Sequence, residues 1–204
     1  MNYITTYCRI SADSVLTSNR EVVLNCTDLS TALREIYNSE LLKYPKFHKM
    51  DLLAKAAFVG SELILKENKN FPNYKDDEIA LLFSNSESSE YSDFKFENSY
   101  KNNNPSPSQF VYTLPSILLG EIAIKNKWLG ENIFLVLPTF DVREIKEQIV
   151  LMFRNGSKAC LCGWVNVTDS NVDVFLFTIE QNQPDGIELT KNNLITLYTK
   201  KWCQ

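Results

Sequence analysis

Two short, almost wholly apolar runs, EIALLFS at 78–84 and NIFLVLP at 132–138, constrain this chain more than any other feature. Both are flanked by turn residues and are too short for buried helices, so they predict strands covered on both faces, as in a parallel sheet. Parallel strands need a crossover between them. The helical pattern in SILLGEIAIKNK, opened by Pro115 and closed by Gly130, supplies it through Ile117, Leu118, Ile122 and Ile124.

The remaining pattern repeats this logic. Residues 2–10, NYITTYCRI, read as a first strand, and Glu21–Leu24 as a short one. Thr27 or Asp28 caps a helical run through Leu29, Leu33 and Ile36. YPKFHK reads as a connector. Met50 to Glu67 is the best-defined helix, with Leu53, Ala54, Ala57, Phe58, Ile64 and Leu65 at 3.6-residue spacing. Its small residues Ala54, Ala56, Ala57 and Gly60 would admit a close neighbour. Ser84 to Pro107 is polar but holds Tyr91, Phe94, Phe96 and Tyr100, so a long ordered loop is expected there. After Thr139-Phe140-Asp141, the stripe Val142, Ile145, Ile149 and Met152 predicts a helix ending at Gly156. KACLCGWVNV and VDVFLFTIEQ flank TDSN as a hairpin. The tail from Leu189 to Trp202 fits a helix or an edge strand. The order predicts one α/β domain over 1–204, with a mostly parallel sheet, helices on both faces and an antiparallel edge hairpin.

Composition excludes several classes. Of 204 residues, 44% are hydrophobic, with twelve Phe and nine Tyr, which is globular material. The net charge of -4 and scattered Lys and Arg argue against a nucleic-acid partner. No apolar run approaches the roughly 18 residues of a membrane span, and MNYITTYCRISAD has no signal-peptide pattern, so a cytoplasmic location is expected. Five cysteines at 8, 26, 160, 162 and 203 do not form a disulfide framework. Cys160 and Cys162, two apart on a strand, share a face, but zinc would need two more ligands, and His48 is the single histidine. Small apolar core residues are the expectation. No phosphate-binding glycine loop or G-x-S-x-G occurs, and no cofactor or metal is implied. The serines of 84–92 follow a strand end, where α/β ligands often bind, yet a hydrogen-bonded loop with Glu87, Glu90 and Asp93 as a solvated face explains them.

The segment PSPSQFVYTLPSILLGEIAIKNKWLGENIFLVLPTFD, 105–141, resembles one in the condensing enzymes of fatty-acid and polyketide synthesis. There a proline-bearing loop, a helix, a glycine turn and a strand lead to the nucleophile. YPKFHKMDLLAKAAFVGSELIL and EIALLFSNSESS resemble the helix and strand upstream, and SKACLCGWVNV the strand downstream. The chain thus resembles the N-terminal half of a thiolase-fold β-ketoacyl synthase over residues 44 to 180. It looks most like short ketosynthase-like proteins of aryl polyene and flexirubin-type pigment clusters.

The resemblance implies a catalytic cysteine nine positions after the glycine. Counted from Gly130, that position is Thr139, at the mouth of a helix whose dipole would favour a thiolate. A threonine nucleophile needs an adjacent base, and Asp141 is better suited to capping, so Thr139 and Asp141 are expected to cap the helix together. The second-half histidines of the family have no counterpart, and His48 lies in a connector. The resemblance therefore implies a non-catalytic accessory or chain-length-factor-like subunit. Its partner would be itself or a ketosynthase, met through the interface strand residues Ile133, Phe134, Leu135, Val136 and Leu137. The other reading is an acyltransferase or a module binding acyl thioester or acyl carrier protein through Phe140, Asp141, Arg143 and Lys146, although Glu144 and Glu147 interrupt the basic residues.

Overall fold

A computed structural model describes residues 1–24, 28–168 and 171–200. Eight strands form one sheet: β1 (Asn2–Ile10), β2 (Ser14–Thr17), β3 (Glu21–Val23), β4 (Ile79–Asn85), β5 (Asn132–Val136), β6 (Ala159–Val167), β7 (Val172–Gln181) and β8 (Ile187–Glu188). The order is β3-β2-β1-β7-β6-β4-β5, with β8 added to β1. Parallel pairing joins β5 to β4 and β4 to β6. The α/β class expected from the sequence is present. The antiparallel part is wider than one edge hairpin, because β7 pairs with β1 as well as β6, and β1 continues into β2 and β3.

Helices cover both faces, as expected. One face carries α1 (Leu29–Ser39), α2 (Leu52–Glu67) and α5 (Ile117–Asn126), which pack with Ile10, Leu81, Phe83, Leu161 and Leu176. The other carries α6 (Val142–Arg154) and α7 (Lys191–Thr199), which pack over Leu82, Cys160, Cys162, Phe175 and Ile179. The tail is therefore helical through Thr199. Thr27 lies outside the described residues, and Asp28 caps α1 by accepting from Thr31 N–H at 2.9 Å. YPKFHK is a 3-10 turn at Pro45–Lys49.

The small residues of α2 have the expected role. A Cβ on Gly60 would lie 2.5 Å from Leu176 Cδ1, so α2 presses directly onto β7. Gly130 does not end α5. That helix closes at Lys127, in the left-handed region at φ 60. Gly130 instead lets the entry to β5 cross β4, since a Cβ there would sit 2.1 Å from the Ile79 carbonyl oxygen.

The largest departure is the 84–107 segment, which holds α3 (Glu90–Lys101) and then α4 (Pro107–Val111). Phe94 and Tyr100 are exposed while Ser92 is buried, so α3 has no apolar stripe to betray it. The serine turn before it is hydrogen-bonded as expected: Asn85 receives Ser88 N–H at 2.8 Å and donates to Ser88 C=O at 2.7 Å.

Candidate functional site

Among the described residues β5 is an edge strand, paired with β4 alone. Leu81 N–H bonds Glu131 C=O at 2.9 Å and Leu137 N–H bonds Asn85 C=O at 2.8 Å. In a parallel ladder these contacts recur every second residue, so Ile133, Leu135 and Leu137 direct their N–H groups at β4. The backbone N–H and C=O groups of Asn132, Phe134 and Val136 face off the sheet. The side chains divide differently. Ile133, Leu135 and Leu137 pack toward α6, and Phe134 packs on the opposite face. Val136, expected beneath a helix, is 56% exposed.

The chain leaves β5 through Leu137 and Pro138 to the position where the resemblance puts a nucleophile. Thr139 is exposed there. Asp141 alone caps α6, accepting from Arg143 N–H at 2.8 Å and Glu144 N–H at 3.2 Å. The shared capping role expected for Thr139 is absent. Phe140 is an anchor: its ring lies 4.5 Å from Tyr198, 5.6 Å from Phe175 and 6.3 Å from Trp164. Arg143 is exposed and Lys146 half-buried, with Glu144 between them and Glu147 directly after, so no basic surface is assembled.

Sequence reasoning missed what locks this end. Asp173 accepts from Arg9 at 3.0 Å, from Trp164 Nε1 at 2.9 Å and from the Tyr198 hydroxyl at 2.5 Å. Burial, then the hydrogen bond to Asp173, pushes the Tyr198 hydroxyl up to about 12. A phenol held protonated in this way is a structural donor rather than a base.

Glu180 and Glu121, both buried, are also engaged. Glu180 accepts from Thr5 at 2.5 Å, Asn68 at 2.7 Å and Tyr74 at 2.9 Å. Glu121 accepts from Tyr44 at 2.6 Å and Tyr112 at 3.2 Å. Cys160 and Cys162 share a face as expected, with sulfurs 3.3 Å apart, and burial holds the Cys162 thiol well above its ordinary range. Among the described residues no group of His, Cys, Asp and Glu is placed to hold a metal ion.

A second feature was not foreseen. A cleft of about 770 Å³ opens between the start of α1, the start of α2 and the α3–α4 pair. His48 lies at it, exposed, with its ring 5.5 Å from Phe47 and 5.6 Å from Tyr37 in edge contacts. None of residues 139–146 lines it.

No family model matches the chain, and no curated protein does. Solved structures do. The ishigamide ketosynthase/chain length factor superposes with a TM-score of 0.65 at 14% identity, covering 90% of this chain and 63% of that one. A ketosynthase in complex with its chain length factor from Xenorhabdus doucetiae gives 0.58 at 10% identity, covering 90% of this chain and 80% of that one. A type II polyketide acyl-carrier protein in complex with its ketosynthase, bound to the hexaketide, gives 0.59 at 12% identity over 89% of this chain and 63% of that one. The chain thus spans a little under two thirds of the length of two of these matches. At these identities the likeness concerns architecture, and the chain has the thiolase-like fold of ketosynthases and chain length factors.

Proposed function

We propose that this protein is a non-catalytic, cytoplasmic ketosynthase-like subunit that pairs through β5 with a ketosynthase, as a chain-length-factor-like partner, or with a second copy of itself. The observation that carries this reading is the open side of β5. Asn132, Phe134 and Val136 present backbone groups that no other described residue pairs, beside apolar side chains, an arrangement that invites strand addition and is a liability if left bare. Thr139 supports the non-catalytic half. It is exposed, and among the described residues no base is hydrogen-bonded to it that would make it a nucleophile. Two of the structurally similar proteins are described as ketosynthases with chain length factors, which makes a heteromeric partner the first to seek.

The test is co-purification from the native host, followed by mass determination of the intact complex. Recovery with a ketosynthase-type chain, or as a homodimer, supports the reading. A chain that stays alone and converts acyl and malonyl carrier thioesters by itself would overturn it.

A further inference from the structure

The cleft beside α2 has the size of a small-molecule site, for which about 300–1,000 Å³ is typical. We propose that it binds a small organic anion, a phosphate monoester or a carboxylate, with the charged group between Lys55 and Lys95 and the body of the ligand against Tyr91 and Tyr112.

The charges facing the cleft are unequally employed. Asp28 is engaged as a cap, accepting from Thr31 N–H at 2.9 Å and Thr31 Oγ1 at 2.8 Å. Asp51 likewise accepts from Ala54 N–H at 2.8 Å and from Ser92 Oγ at 2.5 Å. The lysines have no such commitment. Among the described residues, neither Lys55 nor Lys95 closes an ion pair with a carboxylate, whereas Lys46, Lys66, Lys101, Lys125 and Lys158 each do. Their ammonium groups instead lie by aromatic faces, Lys95 at 4.0 Å from the Tyr91 ring centre and Lys55 at 5.9 Å from that of Phe47.

Lys55 is also electrostatically short of anions. Burial lowers its pKa, and the positive charges of Arg34 and Lys95 add to the effect against a partial offset from Asp51. An anion seated between Lys55 and Lys95 would relieve that repulsion. The hydroxyls of Ser106 and Ser108 and the start of α2 provide further donors at the same cleft. The site is separate from Thr139 and from β5, so it stands whether or not β5 pairs.

Phenyl phosphate and benzoate, titrated into the full chain, test this, with phenol as the neutral analogue. Binding is read by calorimetry and by the amide resonances of Leu52 to Lys55 and Tyr91 to Lys95. The expected result is saturable binding of at least one anion about tenfold or more tighter than phenol, a gap of about 1.4 kcal/mol. The stronger of the two identifies the head group. Lys55→Met and Lys95→Met, which keep the apolar stem, should each weaken that binding about tenfold, while Lys55→Arg retains it. No saturable change, equal binding of phenol, or undiminished affinity in both Met variants would overturn the proposal. Should a Met variant unfold, the comparison of anion with phenol on the unmodified chain still decides it.

Discussion

The Ser92 hydroxyl donates to Asp51 Oδ2 at 2.5 Å, tying α3 to the N-cap of α2. The other Asp51 oxygen accepts from Ala54 N–H at 2.8 Å, so one largely buried residue starts a core helix and holds a surface helix against it. Ser92→Ala should cost about 1–2 kcal/mol, read as a lower midpoint in urea with an unchanged slope. No change in midpoint would mean that α3 is held by other contacts.

Burial raises the Asp51 carboxyl above its ordinary value of 3.8, against smaller opposing effects of Ser92, Ala54 and the nearby lysines. With the folded-state value above the unfolded one, the native state retains the proton longer. The stabilisation from protonated Asp51 is therefore complete below the ordinary value and is lost as pH rises through the folded value. Relative to the wild type, Asp51→Asn should gain stability as pH rises through that window. A stability difference that does not vary with pH would contradict this.

Helix capping separates Thr139 from Asp141, two residues further on. Asp141→Ala should cost about 1 kcal/mol through loss of the α6 cap. Thr139→Ala, at an exposed residue with no capping role, should stay within about 0.5 kcal/mol of wild type. Thermal unfolding of both variants measures the contrast, and equal losses would show that Thr139 shares the cap after all.

Gly130→Ala should destabilise by about 1–3 kcal/mol or more, the range for overpacking. The new Cβ would meet the Ile79 carbonyl, which is backbone and cannot rotate away. A neutral effect in denaturant unfolding would show that the entry to β5 can move off β4.

The parts legible in the sequence are those where burial imposes a period. β4, β5, β6, β7, α2 and α6 follow from apolar runs or stripes, and their bounds differ from expectation by a residue or two. α3 was illegible because polar contacts hold it: Ser92 is its buried residue, while Phe94 and Tyr100 point to solvent. The wide antiparallel part of the sheet was hidden because pairing β1 with β7 joins segments at opposite ends of the chain. At the candidate site, counting from Gly130 pointed to Thr139 through the resemblance alone, and it could not show that Phe140 is an aromatic anchor. The cleft escaped notice because segments near 28, 50, 91 and 108 build it and most of its residues are polar, leaving no local signature.

If β5 pairs with another chain, the directions of its backbone groups make a clean variant available. The Val136 N–H faces off the sheet, so Val136→Pro removes a donor from the open edge while leaving the bonds to β4, and edge strands tolerate proline. Light-scattering mass across a dilution series, for the wild-type chain alone and with the partner recovered from the host, is the most direct measurement. Pairing through β5 predicts a dimeric or heteromeric mass for wild type, and a folded Val136→Pro chain with the mass of a single copy. A wild-type chain that is monomeric at every concentration with no partner recovered, or a variant that pairs as well as wild type, would contradict it.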